Sequence, residues 1–123
     1  MAALHDDVFD NGLSTIDDST ENLYLLSADP GLTWADIATY TLGSKATPSI
    51  AIPSDRDGGG REVIVSAITD GSVTATGTAT HFALTDDSAS KVLVSGAISA
   101  SQVVTSGNVF TLTEFTVGIP DPA

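Results

Sequence analysis

From Val63 to Pro120, β-branched and small residues alternate with polar ones at period two, the pattern of half-buried strands. Arg61 to Ile68 predicts one strand, Asp70-Gly71 a tight hairpin turn, and Val73 the start of the returning strand. In that return Thr74, Thr76, Thr78 and Thr80 take one face, and Val73, Ala75, Gly77 and Ala79 take the other. Phe82 and Leu84 then continue the threonine side, so a bulge or bend is expected between Gly77 and His81. Asp86-Asp87-Ser88 turns the chain, Lys91 to Ile98 returns with Val92, Val94 and Ile98 on one side, and Ser106-Gly107-Asn108 turns it again. Val109 to Val117 predicts the last strand, with a phase shift that puts a second bulge at Thr113 or Glu114.

The first half of the chain is less regular. Leu4, Val8, Phe9 and Leu13 recur at helical spacing with Asp6, Asp7 and Asp10 opposite, which predicts a short amphipathic helix over Ala3–Leu13, weakened at Gly12. A polar run, Ser14 to Asn22, leads to Leu23-Tyr24-Leu25-Leu26, a continuous apolar block that reads as a buried strand. Thr33-Trp34-Ala35-Asp36 has the form of a capping box opening one or two helical turns, and Thr39-Tyr40-Thr41-Leu42 returns to strand composition, ending at Gly43. Pro48, Pro53 and Asp57-Gly58-Gly59-Gly60 make 44–60 a loop or hinge in which any strand, such as Ser49 to Ile52, sits at an edge.

The expected fold is mainly β: an antiparallel β-sandwich or barrel with a short N-terminal helix and an extended C-terminal tail. With 123 residues the chain forms a single domain. Within it, 1–43 is an irregular N-terminal part, 44–60 a Pro/Gly-rich loop, 61–117 the antiparallel sheet, and 118–123 the tail, where Pro120 and Pro122 oppose pairing.

Charge narrows the partners. The net charge is −12, and residues 1–40 hold eight carboxylates but no Lys or Arg. Nucleic acid and anionic membrane surfaces are disfavoured, because only Lys45, Arg56, Arg61 and Lys91 could neutralise phosphate. No basic, apolar leader opens the sequence and no apolar run reaches the roughly 20 residues of a membrane-spanning helix, so synthesis as a soluble cytoplasmic protein is expected. Without cysteine there is neither a disulfide framework nor a thiolate metal site.

Reactive chemistry is sparse. Asp6-Asp7, Asp17-Asp18 and Asp86-Asp87 are adjacent carboxylates of the kind used for Ca²⁺ or acid/base work, but neighbours in a helix or strand point apart, which favours a solvated helix face and a turn. Asp55-Arg56-Asp57-Gly58-Gly59-Gly60 lacks both the closing Glu of a calcium loop and the Gly-Lys-Ser/Thr of a phosphate loop, and reads as a mobile surface loop. His81 has no nucleophile elbow near it and reads as structural. Tyr24, Trp34 and Tyr40 could stack on a sugar, although one Trp, two Tyr and four Phe are few enough that core packing has first claim on them. No catalytic residue, cofactor or metal is therefore expected, and the chain reads as a surface that binds.

Three stretches carry a family likeness: Ala3-Leu4-His5-Asp6-Asp7-Val8-Phe9-Asp10-Asn11-Gly12-Leu13, the region Ala35 to Gly43 ending in Thr39-Tyr40-Thr41-Leu42-Gly43, and Thr105-Ser106-Gly107-Asn108-Val109-Phe110-Thr111-Leu112 followed by Gly118-Ile119-Pro120-Asp121-Pro122-Ala123. In these the chain resembles small structural proteins of tailed-bacteriophage virions, most of all a head decoration, or cement, protein. The resemblance implies a virion location on the outer capsid surface, the major capsid protein as partner, and a homo-oligomer, with a trimer favoured. Apolar groups on segments outside the predicted sheet, Phe9, Trp34, Tyr40, Ile119 and Pro120, are the expected partner contacts. The alternatives are a tail, baseplate or fibre component and a soluble carbohydrate-binding module.

Overall fold

A strand that is apolar at every position, as Leu23-Tyr24-Leu25-Leu26 is, requires cover on both faces. The computed structural model of the chain describes residues 6–119, with side chains from Asp10 onward, and supplies that cover. In chain order the elements are α1 (Asp6–Ser19), β1 (Asn22–Leu26), α2 (Trp34–Tyr40), β2 (Thr41–Ala46), β3 (Ser54–Asp55), β4 (Arg61–Val65), β5 (Ile68–Val73), β6 (Gly77–Asp86), a 3₁₀ turn (Asp87–Ala89), β7 (Lys91–Val104), β8 (Val109–Leu112) and β9 (Phe115–Ile119). The fold is mainly β, and every strand pair is antiparallel. A six-stranded sheet in the order β7-β6-β1-β2-β5-β8 curves into a half-barrel, and a three-stranded sheet, β3-β4-β9, lies beside it.

Alternation along β1 sorts the core into two layers. Leu23 and Leu25, in register with Leu84 and Phe82 of β6, join the main core, where Leu13 and Ile16 of α1, Val63 and Val65 of β4, and Phe110 of β8 meet. On the opposite face Leu26, Ala83 and Val92 pack with Ile37 of α2, and Tyr24, Trp34 and Tyr40 lean against them.

Several expectations hold: the N-terminal helix, the β1 strand, the threonine/apolar alternation, the irregularity between Ala79 and His81, and the turns at 86–88 and 106–108. Others are corrected. Helix α1 does not stop near Gly12 but runs to Ser19, because Leu13 and Ile16 extend its apolar stripe into the core and burial outweighs a weak local propensity. Thr39 and Tyr40 belong to α2, and β2 continues through Gly43. Thr33 makes no side-chain cap; its carbonyl accepts from the Asp36 amide instead.

The N-terminal part is not a separate irregular region, since β1 and β2 lie between the C-terminal strands β6 and β5. Nor is 44–60 one loop. Lys45 and Ala46 are in β2, Ile50 bridges Val65 at a sheet edge as its prolines required, and β3 and β4 form a hairpin whose turn places Gly58, Gly59 and Gly60 at positive φ, so Asp55–Gly60 is a built turn. What reads as one strand from Val109 to Val117 is β8 and β9, which belong to different sheets, and the break at Thr113-Glu114 is the crossover. Gly118 and Ile119, expected in a tail, pair with Glu62 and Arg61 at the end of β9, and 120–123 lie outside the described residues.

Asp70-Gly71 is the most instructive departure. No turn forms there; Gly71 sits within β5 opposite Phe110 of β8. A Cβ on Gly71 would lie 2.3 Å from the Phe110 ring, and one on Gly43 of β2 would lie 3.2 Å from it. Glycines on two neighbouring strands thus make a trough for one buried aromatic ring. Gly71→Ala is expected to destabilise the fold by about 1–3 kcal/mol in urea unfolding, and most of that loss should disappear in a Phe110→Leu background. An equal loss in both backgrounds would contradict the trough.

Candidate interaction surfaces

Several polar side chains hold the elements of the fold to one another. Asp87, in the 3₁₀ turn, accepts from Tyr24 Oη (2.7 Å) and Asn22 Nδ2 (2.9 Å) on one oxygen and from Thr85 Oγ1 (2.5 Å) on the other. With these three donors the carboxylate anchors the β6–β7 turn to β1. Glu21 accepts from the Ser88 amide at 2.8 Å, and its hydrogen bonds to Ser88 hold its carboxyl below the ordinary value. Burial first, and Asp87 second, push the Tyr24 phenol up to about 12.

Arg61 of β4 makes a two-pronged pair with Asp10 of α1 (2.9 and 3.1 Å) and a 2.6 Å bond to Asp55 of β3, clamping the helix to the three-stranded sheet. The Asp6 and Asp7 side chains, read as a solvated helix face, lie outside the described residues. His81 Nδ1 lies 2.8 Å from Thr80 Oγ1, whose hydroxyl also reaches the Ser27 carbonyl at 3.1 Å, a structural setting. Among the described residues, no three His, Asp or Glu side chains converge as a metal site, and no helix is long and apolar enough to cross a membrane.

Two apolar hollows stand out among the described residues. The smaller, about 280 Å³, lies beside α2 and is lined by Tyr24, Trp34, Ala35, Ile37, Ala38 and Thr41. The larger, about 400 Å³, opens between the two outer strands of the half-barrel, with Phe82, Ile98, Leu112 and Phe115 among its walls. Phe82 and Phe115 meet there with ring centroids 4.5 Å apart, and Gln102 Nε2 of β7 donates to the Thr111 carbonyl of β8 at 2.8 Å across the seam.

Of the five expected contact residues, Trp34 and Tyr40 come together, half-buried against the outer apolar layer around α2. Ile119 does not join them. It ends β9, and its Cδ1 approaches Gly12 of α1. The Phe9 side chain and Pro120 lie outside the described residues. The seam was missed because its two signals, the phase changes at Gly77–His81 and at Thr113-Glu114, register as separate bulges and give no sign that Phe82 and Phe115 meet. Comparison with known proteins finds no matching family model, curated protein or solved structure.

Tyr24, its phenol raised by burial first and by Asp87 second, sets an alkaline limit. The unfolded phenol ionises near 10 and the folded one near 12, so the unfolded chain binds fewer protons between these values. The stabilisation is complete below pH 10 and is lost as pH rises towards 12. Asp87→Asn should lower the Tyr24 titration, read by ultraviolet absorbance, while burial keeps it above 10. An unmoved titration would show that Asp87 has no part in it.

Proposed function

We propose that this chain is a non-enzymatic structural subunit of a phage virion, a head decoration or cement protein that binds the outer capsid and bridges neighbouring major capsid subunits. The observation that carries the reading is the contrast between polar groups committed internally, at Asp87 and Arg61, and large apolar side chains left exposed on a β scaffold, at Leu32, Ile52, Val103 and Val109. Such a surface gains free energy by being covered. The likeness of Ala3–Leu13, Ala35–Gly43 and Thr105–Leu112 to virion proteins supplies the partner.

In this reading the architecture is an incompletely closed barrel, and the net charge of −12 keeps free subunits soluble and away from packaged DNA. Binding only the assembled lattice stabilises that lattice by mass action, and a few hundred Å² on each of two capsid subunits approaches a standard interface of about 800 Å² per partner. The hollow beside Trp34 favours a second reading, a carbohydrate-binding module or a glycan-binding tail or fibre component, in which Trp34→Ala would abolish binding to a glycan array.

Added to expanded, DNA-filled heads that lack it, the purified protein is expected to co-sediment with them to a fixed stoichiometry and to raise the temperature at which they release DNA. Heads that neither retain the protein nor gain resistance to heat or chelation would contradict the assignment.

A further inference from the structure

We infer that the hollow between β7 and β8 is a binding site for a small cationic amphiphile, an alkylammonium whose apolar chain lies against Phe82 and Phe115. The hollow is made by interruption of the strand ladder. Ala79 pairs with Gln102 and His81 with Ala97, so residues 98–101 of β7 stand opposite Thr80 alone. β8 slips against β5 in the same way, where Ile68 pairs with Leu112 but Gly71 with Phe110. Irregularities of this kind re-aim side chains and are over-represented beside functional sites. Here Ile98 and Leu112, one from each slipped strand, line a space of about 400 Å³. That is the lower part of the range of roughly 300–1,000 Å³ over which small-molecule sites occur.

The lining selects the chemistry. Phe82, Ile98, Leu112 and Phe115 offer an apolar wall, and the two rings stand side by side with centroids 4.5 Å apart. Aromatic rings favour an apolar chain and attract a cation through their quadrupole. Glu114 is the one charged residue of the wall, it is exposed, and no Lys, Arg or His lines the hollow with it. Its carboxylate pairs with an ammonium and repels a carboxylate or a phosphate, and the net charge of −12 acts in the same direction at longer range. The Gln102 amide, donating to the Thr111 carbonyl at 2.8 Å, joins the two walls, so the site is held together before a ligand arrives.

This site rests on neither the virion role nor the glycan reading. Phage heads that ignore the protein would sink the first and leave the hollow's chemistry standing.

Titration of the full chain with octylammonium, octanol and octanoate, followed through its backbone amide resonances, tests the assignment, because the three probes share a chain length and differ in charge. Octylammonium should bind saturably and shift the amides of 97–102 and 111–115. Octanol should bind about fivefold more weakly, and octanoate more weakly still. Glu114→Gln should lower the octylammonium affinity about fivefold and leave octanol unchanged. Asp18→Asn, which removes an exposed charge on α1 outside the hollow, should change neither. The wild-type series does not depend on how the variants fold. No saturable binding, shifts centred on the hollow beside Trp34, octanoate bound as tightly as octylammonium, or an octylammonium affinity that ignores Glu114 would overturn the proposal. So would an equal loss in both variants.

Discussion

The fold depends on the burial of β1 from both sides. Leu23 and Leu25 point into the half-barrel, while Tyr24 and Leu26 point the other way, so four consecutive residues of one strand demand two covering layers. Full burial of a leucine side chain contributes about 1.5–3 kcal/mol, and Leu23, Leu25 and Leu26 are all completely buried. The inner layer recruits α1, β4 and the Phe110 ring; the outer recruits α2, which brings Trp34 and Tyr40 with it. The Asp87 hub then ties the distal turn of β6 and β7 to the same strand through Asn22 and Tyr24.

Features whose causes are local were legible in the residues. The apolar block at 23–26, the threonine alternation and the turns at 86–88 and 106–108 follow from periodicity and turn chemistry alone. What could not be read depends on groups distant in sequence. Gly43 and Gly71 look like a strand end and a turn until the Phe110 ring is laid across them, and Gly12 looks like a helix end until Leu13 and Ile16 are seen in the core. Alternation also says that a segment is a strand without saying which sheet it joins. The divisions between β4 and β5, and between β8 and β9, were hidden for that reason.

The same logic applies to the interaction surfaces. Trp34 and Tyr40 stood out as aromatic residues, and they do share one surface, but Tyr24 and Ile37, which complete its hollow, are recognisable only once β1 and α2 are packed together. Ile119 was read as part of a free tail, yet it lies within a paired strand. The seam between β7 and β8 is assembled from residues whose individual chemistry is bland. Its character comes from a lining that is apolar or small apart from Gln102, Glu114 and the threonines, closed over by the Gln102–Thr111 hydrogen bond.

A chain that commits its polar groups to its own architecture and leaves apolar surface bare is suited to adhesion, and the capsid exterior is the place proposed for it. Electron cryomicroscopy of intact particles tests that most directly. The account predicts density for this β-rich subunit on the outer face of the head, repeated with capsid symmetry and seated across the joints between major capsid subunits. Density confined to the tail or baseplate, or heads bare of the protein, would contradict it.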